Sequence, residues 1–363
     1  MNKIKIALGD ELVGHPWVEL SRLPDLSDSV ADGQSLDLVD AAGRPLGSGV
    51  VDLKEGRKLW RRYSRLEAVD FDEAYIAAAL LEALDRRGDE SCQRLVSSDA
   101  DYLPGLVVEL FGDVLWLSLE TTAAWGHLDL IAEVLKEAVN PVEIVVDAGD
   151  GPQTHSGQGL KGRWVEVDEL LYRIDLLNPG KPRFSLDQRE QHPLVGSLCE
   201  GRAVLDLFSH NAAFAMQALR AGASRAVAVD VEEVFAKAIG ANAQRNELEV
   251  EAVAGDALEY LRTVEAGAFD AIILDPPAAY YQCQDRIEEL HHLAFTRLPP
   301  GGLLATYCRE ESGAVFEPLV AKAAAQVGRE ARIFARTSQP FDFPLLLNFP
   351  ESQVLRGLIL QVL

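Results

Sequence analysis

From about residue 181 onward, short apolar runs alternate with stretches of helical periodicity, and an acid closes or follows most of the runs. The runs are RAVLDLF, RAVAVDV, EAVAGDA, FDAIILD and GLLATYC, and between them lie NAAFAMQALRAG, VFAKAIGANAQRN, ALEYLRTVEAG and RIEELHHLAFTRL. A nearly continuous apolar strand is one buried on both faces, and strand–helix alternation covers a parallel sheet with helices on both sides. The pattern therefore predicts an α/β domain with a parallel sheet. Ligands of such sheets bind beyond the carboxyl ends of the strands, so the residues just after each run are the ones to read for chemistry.

The chain has 363 residues, more than one average domain needs. Residues 1–68 read as a small β-rich module, with SLDLVD and SGVVDL set off by turn signals at Asp32-Gly33 and Ala42-Gly43-Arg44-Pro45. Residues 69–178 mix both periods. FDEAYIAAALLEALDRR and HLDLIAEVLKEAV are amphipathic helices; GLVVELF, VLWLSLE, EIVVDA, RWVEVDE and YRIDLL are strands, without strict alternation, which predicts an α+β domain. Asn178-Pro179-Gly180 reads as a linker, so residues 179–363 form the third expected domain.

At 48% hydrophobic and 25% charged residues the composition is that of an ordinary soluble protein. No uncharged apolar run is long enough to span a membrane, and Asp10 and Glu11 break the apolar start, which argues against a signal peptide. Cys92, Cys199, Cys283 and Cys308 lack metal-ligand spacing, so the expectation is reduced thiols, no metal site and a cytoplasmic protein. The net charge of −23 runs against the basic surface usual in nucleic-acid binders. One basic segment stands out: Lys54, Arg57, Lys58, Arg61, Arg62 and Arg65, with Trp60 and Tyr63 between them. It reads equally as an RNA-contacting patch or as a solvated connector.

At the strand ends, Asp206, Asp230, Asp256 and Asp275 close or follow successive runs. Asp230 lies about 24 residues after Asp206, close to the spacing at which an acid reaches the ribose hydroxyls of a nucleoside cofactor. A carboxylate accepts both hydrogen bonds of a vicinal diol. Asp256 suits an adenine amine, although an Asp after a strand is also a common helix N-cap. Pro276 and Pro277 after Asp275 make a rigid strand end that exposes carbonyls, suited to a nucleobase or to a plain turn. Tyr280 and Tyr281 are suited to stacking on a base or to the core. His291 and His292, in a helical stretch, read as core or surface residues rather than ligands.

The segments KPRFSLDQRE, VLDLFS, VAVD, GDAL, LDPP, PGGLLATYC and FPESQVLRGLIL resemble the bacterial RNA methyltransferases that carry an N-terminal PUA domain. GHPWVEL resembles the PUA start and RLVSSDADYLPGLVVELFGDVLWL the central α+β domain, so the resemblance covers nearly the whole chain in the same order. It implies a Rossmann-like class I methyltransferase domain at the C-terminus, S-adenosyl-L-methionine as cofactor and 5-methylcytosine formation in large-subunit ribosomal RNA. It also implies RNA contacts through the PUA-like domain and the Lys54–Arg65 segment, with a homodimer by analogy. Phe184, Asp187, Arg189, Asp206, Phe208, Ser209, Asn211, Ala212, Asp230, Asp256, Ala257 and Asp275 would line the cofactor side. Cys308 would be the nucleophile that adds to the 6-carbon of the pyrimidine, and Asp275, if protonated, would donate to the ring nitrogen.

Three departures from the family pattern fall at the active-site end. The usually glycine-rich loop reads Ser209-His210-Asn211-Ala212-Ala213-Phe214, where Asn211 is the residue best suited to a left-handed backbone. The usual serine-cysteine-serine is Tyr307-Cys308-Arg309-Glu310; Arg309 favours the thiolate and Glu310 opposes it. The segment usually reading lysine-threonine-glycine-phenylalanine-phenylalanine is Lys181-Pro182-Arg183-Phe184-Ser185. Three functions follow: an RNA methyltransferase acting on a pyrimidine, a non-catalytic relative kept as a binding scaffold, and a methyltransferase acting on an exocyclic amine or small acceptor with Cys308 structural.

Overall fold

The structure, a computed structural model, describes residues 3–6, 14–23, 30–54, 58–147, 149, 151–159, 162–178, 183–309 and 315–363. Arg57, Pro179, Gly180, Lys181, Pro182 and Glu310, all named above, lie outside the described residues. The chain forms two compact units, each of which takes in pieces distant in sequence.

The first unit comprises residues 1–161, 176–179 and 341–352. Its first five-stranded sheet runs in the spatial order Lys3–Ile6, Ser35–Asp40, Pro45–Asp52, Leu59–Ser64, Trp17–Glu19. Trp60 fills its core with Val18, Leu36, Leu38 and Val51, and the indole N–H donates to Leu36 O at 3.1 Å. Gly49 is required there, since a Cβ would stand 2.3 Å from the Trp60 ring. The second sheet runs Pro152–Ser156, Glu143–Asp147, Val114–Leu119, Leu106–Phe111, Cys92–Ser97. Helices Glu73–Asp85 and Leu128–Val139 lay Ile76, Leu80, Ile131 and Leu135 onto its Val108, Leu115, Leu117 and Ile144. Gly112-Asp113 joins the two predicted strands of its central hairpin.

The basic segment is corrected in this unit. Leu59–Ser64 is a strand, not a connector, and Arg61 and Arg62 are only 4% and 6% exposed. Arg61 is held between Asp52, at 3.0 Å, and Asp99, whose carboxylate also accepts from the Trp17 indole at 2.8 Å. Trp60 and Tyr63 are core residues, so only Lys54, Lys58 and Arg65 of the described members are exposed. A buried arginine with two carboxylates is structural; it has no charge left to offer RNA.

The second unit comprises residues 162–175, 180–340 and 353–363. Its sheet contains β1 (Ala203–Leu207), β2 (Arg225–Asp230), β3 (Val250–Ala254), β4 (Ala271–Leu274), β5 (Leu303–Cys308), β6 (Ala331–Ser338) and β7 (Arg356–Val362). The spatial order is β3-β2-β1-β4-β5-β7-β6. β1 to β5 are parallel, but β7 pairs antiparallel with both β5 and β6, so the sheet is mixed and not wholly parallel. Helices α1 (Gln191–Ser197), α2 (Ala213–Arg220), α3 (Glu233–Arg245), α4 (Ala257–Thr263), α5 (Gln284–Arg297) and α6 (Phe316–Gln326) cover it.

Strand alternation divides the core in two. Leu205, Leu207, Val227, Ile272 and Leu274 face α4 and α5, while Val204, Ala228, Ile273 and Tyr307 face α1 and α2. The unit also takes the hairpin Arg163–Val167/Leu170–Ile174, which the sequence placed in the preceding domain. The reason is visible in α3. Asn246 accepts from Leu171 N–H (2.8 Å) and donates to Leu171 O (2.7 Å), and Asn242 accepts from Arg173 N–H (2.8 Å), so two amides pair with the edge strand. Conversely, residues 341–352 belong to the first unit, where Asp342 accepts from Arg94 N–H (2.7 Å) and Phe349 packs on Trp17.

His291 is a core residue of α5, its Nδ1–H bonded to Ile287 O (2.8 Å) and its Nε2 to the Thr306 hydroxyl (2.9 Å). Burial lowers its pKa to about 4 and holds it neutral. Its folded pKa lies below the ordinary 6.5, so the unfolded chain binds the extra proton and stability is lost as pH falls from about 6.5 to about 4. His291→Asn should therefore flatten the stability–pH slope in that window by about 1.4 kcal/mol per pH unit relative to wild type. Urea unfolding at several pH values checks this, and parallel slopes would refute it.

Candidate active site

The turn between β1 and α2 is built without glycine. Phe208, His210 and Ala212 have φ of 62°, 49° and 58°, so three of five consecutive residues are left-handed. Each costs roughly 1–2 kcal/mol in an L-residue. Asn211, the residue expected to take that conformation, is not among them. Two carboxylates hold the turn. Ala215 N–H donates to Asp206 Oδ2 (3.1 Å), and His210 N–H donates to Asp230 Oδ2 (2.9 Å). Ser209 N–H reaches Val229 O (3.1 Å), and Ala212 N–H returns to Ser209 O (2.6 Å).

Asp206 is thus not at a strand end. It sits inside β1, opposite Ala228 and Ile273, on the face that meets α2. Burial pushes its pKa well above the carboxylate range, the Ala215 N–H opposing this and the charges of Asp275 and Asp230 adding to it. Asp230 does end β2, and burial likewise raises its pKa against the backbone N–H groups of His210, Glu232 and Val231.

The one-turn helix Leu186–Gln188 and the Asp275-Pro276-Pro277 strand end are tied by Arg309. Its guanidinium binds Asp187 through Nε at 3.0 Å and Asp275 through Nη1. Burial pushes the Asp275 pKa up, while Arg309 holds it down. The arginine that departs from the family pattern therefore occupies the space between two predicted site acids.

A cleft lies at the carboxyl ends of β1 and β4, lined by Phe184, Ser185, Gln188, His192, Phe208, Ser209, His210, Asn211, Ala213, Phe214 and Asp275. It leaves about 20 Å³ between its walls, room for one water. Its lining chemistry asks for more. Of its lining, Asn211 Oδ1 and Nδ2, Ser209 Oγ and His192 Nδ1 are buried without a hydrogen-bond partner, as are Asp206 Oδ1 and Tyr307 OH outside the lining. Buried polar atoms are nearly always bonded, so such a cluster marks a place where a polar group belongs. Behind it stands an aromatic row: Tyr172–Phe184 (4.7 Å), Phe184–His192 (5.4 Å), His192–Phe214 (4.5 Å) and Phe214–Tyr307 (5.2 Å). Burial, with Arg309 nearby, lowers the pKa of His192 to about 3 and of His210 to about 4, so both present neutral rings.

Of the residues singled out from sequence, Phe184, Phe208, Ser209, Asn211 and Asp275 line the cleft, with Asp187 joined to Asp275 by Arg309 and Asp230 holding the turn. Others stand elsewhere. Asp256 caps α4, accepting from Glu259 N–H (3.0 Å), and pairs with Arg286 (2.7 Å), so both oxygens are engaged. Ala257 and Ala212 are core residues, and Arg189 is buried outside the lining. Cys308 is 1% exposed and packs in the apolar cluster on the α5 face, because strand alternation gives Tyr307 the other side. Tyr281 is core, and Tyr280 packs edge-on to Phe208 (5.0 Å) under Arg286. His210 and Phe214, named from the sequence only as part of the departing loop, also line the cleft, and Gln188 and His192 were given no role. Only their closeness in sequence to named residues pointed to them.

A family described as Conserved hypothetical protein 95 matches residues 189–318. The ribosomal RNA large subunit methyltransferase I of Aeromonas salmonicida (strain A449) is 28% identical over 381 residues, spanning 96% of this chain and 95% of that protein. A structure from Streptococcus mutans, described as a SAM-dependent methyltransferase, superposes with a TM-score of 0.88 at 19% identity, over 99% of this chain and 100% of that one. The crystal structure of SMU.776, described as a methyltransferase complexed with SAH, has the same score, identity and coverage. These likenesses establish the fold as that of the Rossmann-like methyltransferases.

Arg309→Met leaves Asp187 and Asp275 without their cation and should cost about 2 kcal/mol near neutral pH, modest for a buried pair because the three side chains keep 15–24% exposure. Burial already raises the folded Asp275 pKa, and removing the cation that holds it down raises it further above the unfolded value. The penalty is therefore full at neutral pH and shrinks as the pair takes up protons in acid. Urea unfolding at about pH 7.5 and about pH 5 tests it; an equal penalty at both would show that Arg309 acts by packing alone.

Proposed function

We propose that this chain transfers the methyl group of S-adenosyl-L-methionine to large-subunit ribosomal RNA. The observation that carries the reading is the likeness to a relative of that name across 96% of this chain, ending in a sheet whose strand-end cleft holds the unpartnered polar cluster. The cofactor supplies an electrophilic methyl on a sulfonium. Asp230 faces the backbone N–H groups of His210, Glu232 and Val231, and its carboxylate, with about four acceptor sites, keeps one for a ribose hydroxyl. Ser209 and Asn211 supply unpartnered polar atoms, and Phe184 and Phe208 supply apolar walls. The donor set suits a nucleoside, whereas a volume of about 20 Å³ does not hold one. Binding must therefore swing side chains of the strained turn aside. Residues 1–68 act in this reading as a PUA-like RNA contact and residues 69–161 as the α+β part of the first unit, in a cytoplasmic protein.

The acceptor atom separates two readings. The family resemblance implies the 5-carbon of cytosine with Cys308 as nucleophile. A nucleophile must touch its substrate, and a thiol in a residue 1% exposed does not. That burial favours an acceptor, such as an exocyclic amine, that needs no covalent adduct, with Asp275 at the strand end facing it.

Calorimetry with S-adenosyl-L-methionine should show binding by the wild type and at least tenfold weaker binding by Asp230→Ala. Absence of heat with saturating cofactor would favour the scaffold reading instead. With unmodified ribosomal RNA and labelled cofactor, Cys308→Ala should retain most methyl transfer. Complete loss in a variant that still binds the cofactor would restore the covalent pyrimidine route.

A further inference from the structure

A cleft of the first unit, about 710 Å³, has no part in the chemistry above. Its volume is in the range of small-molecule sites, roughly 300–1,000 Å³. Trp125 ends the one-turn helix Thr122–Trp125, and while Ala123 and Ala124 of that turn are buried, its indole is 49% exposed on the cleft wall. The Thr121 hydroxyl accepts from Ala124 N–H (3.2 Å) and fixes the turn that presents the ring. A large aromatic face held open beside a cavity offers a stacking platform.

The polar lining narrows what stacks there. Asp52 is neutralised by Arg61 (3.0 Å); the charged groups left on the lining are Lys54, Asp32 and Glu120, with Gln153, Thr154 and His155 as further polar side chains. Asp32 accepts from Leu53 N–H (2.8 Å) and from the Thr122 hydroxyl, so it is oriented by its neighbours. Ionised carboxylates only accept hydrogen bonds, and they match the exocyclic amines of adenine and cytosine but not the carbonyl edge of uracil. Lys54, the member of the basic segment that both lines the cleft and stays exposed, suits a phosphate on the same nucleotide.

We propose that this cleft captures one unstacked, amino-bearing nucleotide of the RNA, its base on Trp125 and its phosphate on Lys54. The inference rests on RNA being the substrate, and it assigns the capture to a site other than the methyl-transfer cleft. Fluorescence anisotropy of the full chain with labelled eight-nucleotide oligo(A), oligo(C) and oligo(U) tests it. Oligo(A) and oligo(C) should bind more tightly than oligo(U). Trp125→Ala should weaken oligo(A) about tenfold or more, and Trp125→Phe should keep most of the binding, which excludes simple unfolding. Lys54→Gln should weaken all three alike and lower the salt slope by about one. Wild-type affinity in Trp125→Ala, or no preference over oligo(U), would overturn the proposal. If ribosomal RNA is not methylated while this binding pattern holds, the function proposed above falls and the capture site stands. If Trp125→Ala methylates with unchanged KM and kcat, the capture site falls and the function stands.

Discussion

Two carboxylates under one turn hold the candidate site together. Asp206 reaches the first turn of α2 and Asp230 the N–H of His210, and between them they keep Phe208, His210 and Ala212 in a backbone conformation that glycine would adopt freely. The turn is strained and its anchors are buried acids whose pKa values burial raises. Strain of this kind persists only where the surroundings over-determine it, and it gathers at functional places. The polar atoms left unpartnered in the same few residues point the same way.

Arg309 gives the site a second constraint. A guanidinium between Asp187 and Asp275 fixes the distance between the Leu186–Gln188 turn and the proline pair, and it occupies space that a smaller residue would leave open. The non-glycine turn lines the cleft with Phe208, Ser209, His210, Asn211 and Ala213 and narrows it, while Arg309 holds the lining residue Asp275. Both restrictions are made of side chains, which move more readily than a sheet does.

The acidic chain places its cations sparingly. Arg61 is spent on the internal triad with Asp52 and Asp99, so a run of basic residues that looks like a nucleic-acid patch is half core. Of the described members of that run, Lys54, Lys58 and Arg65 remain outside, and Lys54 lines the same cleft as Trp125. On the proposal made for that cleft, recognition would lean on base stacking and hydrogen bonding more than on a field of positive charge.

The sequence alone determined the five parallel strands of the second unit and the helices between them, because the strands buried on both faces are largely apolar and leave a clear run, while the edge strand β3, VEAVA, keeps only its alternation with helices. It also located Asp275 and Asp230 correctly, since both stand where an apolar run stops. It did not show β6, whose ARIFARTS is an edge strand largely open to solvent, nor the antiparallel entry of β7. Only tertiary structure decided the fate of residues whose type suits two roles. Asp206 and Cys308 lie within strands, so alternation sends one to the α2 face and the other into the core, while Asp256 becomes a helix cap and Arg61 a buried ion. The reason is the same in each case. A side chain's chemistry is written in its own letter, but its surroundings come from partners tens or hundreds of residues away.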